Sequence, residues 1–396
     1  CDSYWLDGKR FLQQSSLIKA VGILLFGIAA FDVMSVFVRL LGDKFPILQI
    51  SVLRNIFGMI PALILLATGS GFVALKKLNN SFLLKIVLIR SAAVLLAQLS
   101  FYTALTKIEF ATAATLDQQK FNALAKRLLD TGCSGLAPFG TTGEALSVSH
   151  SERKAALQGL VEAGIDPAVM IPGTGLCNLP DTVDLCQHAI GLGCAGVMTL
   201  PPFYFKGMSD EGLFAYFARL IDLVNDDRLK IYLYHIPQVS GVGLSIPLVT
   251  RLHAAFPEII VGIKDSSGDW ENTKALLSID RLIVYPGAEL PVIDAIRLGA
   301  PGCISATANL NGGDIAEVIA LCHAGNWDAA EEKHKKVCAV RMLFQDYAPI
   351  PAQKALLARQ LDQPTWNNLR PPMQPIAAYK LNALANALDT EFGMKF

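Results

Sequence analysis

Residues 259–264, Ile-Ile-Val-Gly-Ile-Lys, decide the fold, because this apolar run is too short for a buried helix and ends on a charged side chain. Outward from it, similar runs of about four to six residues recur every 20–35 residues or so, the length of a strand plus a crossover helix. They lie at 135–139, 169–172, 195–200, 231–235, 282–286 and 302–306. The pattern predicts parallel strands of an α/β protein.

Amphipathic stretches separate the runs and predict helices near 119–131, 150–163, 181–192, 209–224, 246–255, 269–278, 289–298 and 313–324. Seven strand–helix units favour a TIM (β/α)8-type barrel over 117–325, followed by a C-terminal helical extension over 326–396. A doubly wound open sheet is the alternative, although no GxGxxG motif follows the first run. The first barrel strand is either missing or degraded to the Ala/Thr-rich residues 111–116.

The first part of the chain has a different composition from the rest. The 34 basic and 34 acidic side chains of the whole chain cancel, which excludes a basic nucleic-acid-binding protein. Apolar residues concentrate in 20–38, 55–75 and 86–106, each about long enough to span a bilayer. We predict transmembrane helices near 17–41, 46–69 and 82–106 within a membrane segment 1–116; three buried core helices are the alternative.

Two motifs stand after predicted strands, at the end where parallel barrels carry their active sites. Gly-Thr-Thr-Gly-Glu at 140–144 offers hydroxyls and N–H groups that suit a carboxylate ligand, and an ordinary turn with an N-cap is the alternative. Lys264 is predicted to point into the barrel mouth, where desolvation favours a neutral, nucleophilic amine. A lysine that reaches solvent from a strand end is the alternative.

Two further segments add to this site. Tyr234, in the motif Tyr-His-Ile-Pro, could relay protons in carbinolamine formation, or it could be a core tyrosine with a satisfied hydroxyl. The adjacent His235 is predicted to be structural. Small residues at 302–309 would let the backbone of the last strand approach a ligand. Together, the lysine, the phenol and the hydroxyls favour a Schiff-base lyase.

In this order and spacing, GTTGE, YHIP, GIKDSSGD and ISATAN resemble the dihydrodipicolinate synthase / N-acetylneuraminate lyase family, over about residues 118–396. The resemblance implies a barrel enzyme that binds pyruvate, or a related 2-oxo acid, as a Schiff base and makes or breaks an aldol bond with an aldehyde. No cofactor besides the covalent lysine adduct, and no metal, is implied. The implied roles are Lys264 as Schiff-base lysine, Tyr234 as proton relay, Thr141 as hydroxyl relay, Thr142 as carboxylate site, and Gly140, Gly143 and the Ile304 backbone as further substrate contacts.

The family's second tyrosine, which a neighbouring subunit lends, falls in Pro-Pro-Phe-Tyr-Phe at 201–205. Spacing leaves Tyr204 or Phe205, of which Tyr204 is favoured, and the resemblance therefore implies a homo-oligomer formed through the barrel. Dihydrodipicolinate synthases also carry an arginine two residues after the proline of Tyr-x-x-Pro, for the carboxylate of the second substrate. This chain has Val239 there, and an apolar side chain cannot clamp a carboxylate, so the sequence favours another 2-oxo acid aldolase.

The first segment resembles the first three helices of the drug/metabolite transporter (EamA-like) family, in Leu-Arg-Asn at 53–55 and in residues 89–105. This resemblance implies a truncated transporter fused to the barrel, since transporter substrate sites lie between complete repeats. It leaves a second hypothesis open, a membrane transport or anchoring protein with an inactive barrel.

The distribution of basic residues predicts how the full chain is oriented in a membrane. Lysines and arginines cluster before the first predicted membrane helix and between the second and third, so the positive-inside rule puts the barrel opposite the N-terminus. Pyruvate chemistry and the seven cysteines of the barrel part instead suit the cytoplasm. We therefore expect the full chain to be in a membrane and poorly active, and the barrel part alone to be cytoplasmic.

Overall fold

The computed structural model describes residues 117–396. The three predicted membrane helices, the transporter-like segment 1–116 and the candidate first strand 111–116 all lie outside the described residues. None of the helices between residues 117 and 396 has the length and apolar character that a membrane span requires.

Strands and helices alternate along the first part of the described chain. The strands are β1 (Val197–Thr199), β2 (Ile231–His235), β3 (Ile260–Asp265) and β4 (Ile283–Pro286). The helices are α1 (Gln118–Asp130), α2 (His150–Glu162), α3 (Leu179–Leu192), α4 (Asp210–Val224), α5 (Pro237–Ser240), α6 (Ile246–Ala255), α7 (Trp270–Leu277), α8 (Val292–Arg297), α9 (Ala308–His323), α10 (Trp327–Leu343), α11 (Pro349–Gln360) and α12 (Ala378–Phe392).

The four strands form a parallel sheet in chain order, β1-β2-β3-β4. The remaining predicted strands continue this order through isolated contacts. On one side, Leu136 bridges Met170 and Gly173 bridges Met198 of β1, both in parallel. On the other side, the Ile304 N–H donates to the Pro286 carbonyl at the end of β4, at 3.0 Å. The seven predicted runs are therefore neighbours in chain order, which agrees with the wall of a (β/α) barrel.

Three of these runs are not regular strands, and their sequence explains why. Pro138 and Pro172 have no N–H to donate to a ladder. A Cβ on Gly173 would lie 2.0 Å from the carbonyl oxygen of Phe139, so the first two backbones approach more closely than side chains would allow. The prolines interrupt the hydrogen-bond ladder between these runs, and the glycine lets their backbones pack closely instead.

The outer helices are set by their caps and their apolar faces. In α2 the Ser149 side chain accepts from the Glu152 N–H while the Glu152 carboxylate accepts from the Ser149 N–H, a complete capping box. In α4 the residues Leu213, Phe217 and Leu220 follow helical spacing and are buried. Burial of each such side chain contributes about 1.5–3 kcal/mol, which packs the helix onto the sheet.

Most of the predicted helices agree with the observed ones to within a few residues. The prediction of 313–324 was incomplete, because α9 begins at Ala308 and contains a non-helical residue, Asn311 (φ −121°, ψ 29°). The short helix α5, directly after the Tyr-His-Ile-Pro motif, was not predicted. Its formation turns the chain sharply at the end of β2 and brings Val239 to the surface.

The C-terminal residues form a separate helical layer. Its core contains Val340 of α10, Leu356 of α11 and Leu384 of α12, all nearly inaccessible to solvent. Leu310 of α9 belongs to the same cluster and joins this layer to the barrel. The layer places α11 beside the loop that follows the first run, a contact that becomes important for the site.

Inside the barrel, an aromatic pair lies beneath the end of β3. The Tyr232 and Tyr285 rings have centroids 6.1 Å apart. Gly262 makes room for them, because a Cβ there would lie 2.7 Å from Cδ1 of Tyr232 and 2.6 Å from the carbonyl oxygen of Ile283. Lys264 is the next inward-facing residue of β3, so it sits above this pair.

Candidate functional site

Lys264 stands near the carboxyl end of β3 and is 9% exposed. The β2–β3 register places Tyr234 directly beside it. The Lys264 Nζ lies 3.4 Å from the Tyr234 hydroxyl and 4.5 Å from the centroid of its ring. The strand ladder therefore fixes an amine and a phenol as buried neighbours at the mouth of the barrel.

Thr141 extends this pair into a chain of three polar side chains. Its Oγ1 lies 3.1 Å from the Tyr234 hydroxyl, although the two residues are far apart in sequence. The three predicted residues thus form a continuous contact path from hydroxyl to phenol to amine. Such a path can move a proton to or from a group that reacts at the amine.

A cavity of about 820 Å³ opens at Lys264, which is within the roughly 300–1,000 Å³ typical of small-molecule sites. The predicted substrate-contact residues share this cavity with Lys264: Gly140, Thr141, Thr142, Gly143 and Ile304. Gly143 is needed for the tight loop, because a Cβ on it would lie 3.0 Å from the Phe139 nitrogen. Tyr234 touches Lys264 but is not part of the cavity wall.

The end of the last run is held by a buried acid that the sequence analysis missed. Glu289 is fully buried, and its carboxylate accepts hydrogen bonds from the Ser305 and Thr307 hydroxyls. The Ile304 N–H donates to the Pro286 carbonyl, and Ile304 lines the cavity together with Lys264. The only sequence signal for Glu289 was an acid placed shortly after a strand.

Asp265, directly after Lys264, was also missed. It is buried, and its carboxylate accepts from the Ser267 N–H at 2.9 Å and from the Thr273 hydroxyl at 2.7 Å. These bonds close the turn after β3, so Asp265 fixes the position where the catalytic strand ends. The Asp-Ser-Ser sequence, typical of a side-chain-capped turn, was the available signal.

His235 makes a structural contact. Its Nδ1 accepts from the Leu244 N–H at 2.9 Å, which places the proton of the neutral ring on Nε2. Burial lowers the pKa of His235, and the nearby Asp265 carboxylate opposes this only in part. The ring is therefore neutral at pH 7 and serves to tie the end of β2 to the segment before α6.

The structure does not bring Tyr204 to Lys264. Its side chain is 77% exposed, its ring meets the edge of Phe205 at 5.8 Å, and neither residue lines the cavity. Its N–H donates to the sulfur of Cys177. A role for Tyr204 therefore depends on a second subunit and stays a prediction.

The cavity wall contains the thiols of Cys133 and Cys303. Among residues 117–396 no three histidine, cysteine or acidic side chains are grouped as a metal site would require. Cys303, beside Ile304 in the cavity wall, is the nearest thiol, and burial raises its pKa. It is therefore a neutral thiol at pH 7 and a poor nucleophile.

Comparison with known proteins decides the family. The model of the dihydrodipicolinate synthetase family matches residues 99–391. The chain belongs to this family. The predicted family and the predicted pyruvate-dependent Schiff-base lyase activity are thereby confirmed, and so is the α/β fold with a parallel sheet.

Individual members of the dihydrodipicolinate synthetase family are moderately similar. An uncharacterized DapA-like lyase of Chloroflexus aurantiacus is 35% identical over 263 residues, which cover 66% of this chain and 86% of that protein. A 4-hydroxy-tetrahydrodipicolinate synthase of Thermus thermophilus is 35% identical over the same coverage, 66% and 86%. The crystal structure of dihydrodipicolinate synthase from Agrobacterium tumefaciens superposes with a TM-score of 0.65 at 32% identity, covering 70% of this chain and 93% of that one.

The family match also touches a predicted boundary. It begins at residue 99, before the barrel boundary predicted at 117 and inside the segment 82–106 predicted to be the third membrane helix. For residues 99–106 the family match and the membrane prediction therefore compete. The transporter resemblance of the segment before them stays a prediction from sequence.

Proposed function

We propose that this lyase joins pyruvate to an aldehyde, or releases it from an aldol, through a Schiff base on Lys264. Tyr234 and Thr141 relay the protons, and Thr142 with the glycines around it binds the pyruvate carboxylate. The observation that carries the proposal is the contact path from Thr141 Oγ1 through the Tyr234 hydroxyl to Lys264 Nζ, 3.1 and 3.4 Å long, beside one cavity.

The chemistry follows from this arrangement. The Lys264 amine attacks C2 of pyruvate with its lone pair and forms a C–N bond, and the proton that the nitrogen loses is relayed through Tyr234 to the former carbonyl oxygen. Loss of water gives the imine, and removal of a proton from C3 gives the enamine. In the synthetic direction, C3 attacks the aldehyde carbon, and the aldehyde oxygen takes up a proton to become a hydroxyl. Hydrolysis of the new imine releases the product and restores the amine.

The partner aldehyde is proposed to carry no carboxylate near its reacting end. Val239 on α5 is 60% exposed and offers no charge where an arginine would be needed. Without an arginine at this position the carboxylate of aspartate semialdehyde lacks a bidentate charge partner, so this aldehyde should be a poor substrate. Comparing its kcat/KM with that of a neutral hydroxyaldehyde tests this, and equal values would contradict it. Val239→Arg should bring the kcat/KM for aspartate semialdehyde closer to that for the neutral hydroxyaldehyde.

Borohydride trapping tests the covalent step. The full chain incubated with pyruvate and borohydride should gain the mass of one reduced pyruvate adduct, located on Lys264 by peptide mapping. Lys264→Ala should abolish the adduct, and Lys264→Arg should as well, because a guanidinium does not form a Schiff base. Lys230→Ala is the matched control, since this half-buried lysine lies directly before β2, does not line the cavity and donates to the Glu258 carbonyl. An undiminished adduct in Lys264→Ala would refute the assignment.

A homo-oligomer is proposed from the surface around Tyr204. Tyr204, Phe205 and Met208 expose 77, 51 and 48% of their surface on one short segment. A second subunit would cover this aromatic patch and receive the Tyr204 hydroxyl. Sedimentation should reveal an oligomer, and Tyr204→Phe should lower kcat without changing the oligomer mass. A fully active monomer would contradict the proposal.

The membrane segment is a separate proposal that rests on sequence alone. If the three predicted helices 17–41, 46–69 and 82–106 insert, the full chain should resist alkaline extraction from membrane vesicles. The hypothesis of a transport or anchoring protein with an inactive barrel is not favoured, because the contact path at Lys264 is complete. A protease-protection assay on the vesicles would show on which side of the membrane the barrel lies. Release of the full chain by alkaline carbonate would contradict insertion.

A further inference from the structure

The loop that carries Thr141 and Thr142 adopts an uncommon backbone. Phe139 (φ 58°) and Glu144 (φ 55°) bracket it, and both are non-glycine residues in the left-handed region. Such conformations cost of order 1–3 kcal/mol each and persist only when the surrounding structure holds them. Local backbone bonds, from Glu144 N–H to Thr141 and from Ala145 N–H to Gly140, are long at 3.2 and 3.3 Å. Something besides the loop itself must stabilise it.

The C-terminal extension supplies that support. The Lys354 ammonium on α11 lies 2.6 Å from the Glu144 carboxylate and 2.6 Å from the Asn368 carbonyl. Both charged side chains are only 15% exposed, so this pair is far less screened than an ordinary surface pair. It joins the last residue of the Gly-Thr-Thr-Gly-Glu motif to a helix 210 positions further along the chain.

A second cation from the same extension reaches the next turn. Arg370 donates to the Ser147 carbonyl at 2.6 Å and to the Glu152 carboxylate at 2.8 Å. Because Glu144 and Ser147 flank the 3₁₀ turn that leaves the loop, the extension holds that turn at two points. Of the two cations, Lys354 binds nearer to the hydroxyls, because its partner Glu144 is only three residues after Thr141 in sequence.

We propose that Lys354 is a positioning residue for catalysis: its ion pair with Glu144 lets the C-terminal extension hold Thr141 and Thr142 in the geometry that binds pyruvate. The inference rests on the proposed function, in which these hydroxyls serve the relay and the carboxylate. Lys354 lines the same cavity as Lys264, but its ammonium is engaged by the Glu144 carboxylate and the Asn368 carbonyl, so we assign it no contact with the reacting atoms. It acts by keeping a strained loop in its working conformation.

The test compares the full chain with Lys354→Met, Glu144→Gln and the conservative Lys354→Arg. Arg297→Met is the matched control, because Arg297 pairs with Glu331 at 2.5 Å, also between a barrel helix and the extension, but away from the cavity. Two readouts are taken: amide hydrogen exchange of residues 139–147 without ligand, and the pyruvate concentration that gives half-maximal borohydride trapping.

We expect Lys354→Met and Glu144→Gln to speed exchange in 139–147 and to raise the half-maximal pyruvate concentration roughly 10- to 100-fold, the range for a small misplacement of binding groups. Lys354→Arg should stay close to the parent, and Arg297→Met should change neither readout. A purely structural role would lower the folded fraction and the trapping amplitude without shifting the pyruvate concentration. If Lys354→Met does not fold, Glu144→Gln decides.

Two outcomes separate this inference from the proposed function. Unchanged exchange and unchanged half-saturation in both Lys354→Met and Glu144→Gln would overturn the positioning role. If the parent chain forms no pyruvate adduct at all, the proposed function fails, and the exchange of 139–147 still decides whether the ion pair holds the loop.

Discussion

The two sides of the barrel mouth are built differently. On one side, β2 and β3 form a continuous ladder, and their register alone brings Tyr234 and Lys264 together. On the other side, within residues 117–396, the runs 135–139 and 302–306 make isolated sheet contacts and no ladder. There, long-range polar pairs do the positioning, namely Glu144 with Lys354 and Glu289 with two hydroxyls.

This difference separates two ways of placing functional groups. In the proposed mechanism, the ladder side supplies the amine and the phenol, which must stay fixed relative to each other. The other side would supply the relay hydroxyl of Thr141 and the groups that bind the substrate, and its loops contact helices far away in sequence. Changes on the ladder side should therefore affect the rate of chemistry, and changes on the other side should affect binding and stability.

The largest effect is expected when the ladder side is broken at Tyr234. Tyr234→Phe removes the hydroxyl that joins Thr141 to Lys264 and should lower kcat roughly 10²- to 10⁴-fold, the usual contribution of a proton-transfer group. Steady-state kinetics with pyruvate measure it. Tyr232→Phe, on the same strand but in the layer below, should lower kcat far less. Equal losses in the two variants would mean that Tyr234 acts only by packing.

A smaller effect is expected on the other side of the mouth, at Glu289. Glu289→Ala removes the carboxylate that accepts from the buried Thr307 hydroxyl and from the half-buried Ser305 hydroxyl, which leaves them only each other as partners, at about 1–3 kcal/mol for each lost bond. Urea unfolding should show a loss of roughly 2–5 kcal/mol, and Glu289→Gln, which keeps an acceptor, should lose less. Glu331→Ala, an exposed acid, serves as control. If Glu289→Ala unfolds at the same urea concentration as this control, the carboxylate does not hold the run 302–306.

The smallest effect concerns pH. A hydrogen bond from Arg370 lowers the pKa of Glu152 from 4.5 to about 2. Because the folded pKa is depressed, the stabilisation is complete above about pH 4.5 and is lost as the pH falls through about 2. We expect it to be roughly 1–2 kcal/mol, less than the shift alone implies, since the pair is partly solvated.

Unfolding free energies of the parent and of Arg370→Met between pH 6 and pH 2 measure this contribution. The difference between them should shrink as the pH approaches about 2. Arg251→Met, which breaks an exposed pair with Glu211, gives the baseline for a surface charge. A difference that stays constant down to pH 2 would contradict the linkage.

The same division decides how much could be predicted from sequence. Apolar runs and helical periodicity predicted most of the described elements. Lys264 and Tyr234 could be assigned to the ends of strands because each lies at the end of an apolar run that is visible in its own stretch of sequence. Glu289 and Lys354 were missed, because their roles arise only when residues from separate segments are folded together. Asp265 was missed although its partners Ser267 and Thr273 are close to it in sequence. The irregular runs were predicted as strands since apolar character shows burial, not hydrogen bonding. Residues 99–106 illustrate a further limit, since one apolar stretch satisfied both a membrane pattern and the family match.

Gly262 restricts which sequences this site can accept. A methyl group there would meet the Ile283 carbonyl on one side and the Tyr232 ring on the other. The carbonyl belongs to the neighbouring strand and cannot withdraw without opening the sheet, so every alternative residue pushes β3 outward and carries Lys264 with it. Two positions before the reactive amine, the chain therefore has one permitted residue. A change at Val239, which is 60% exposed, meets no such restriction.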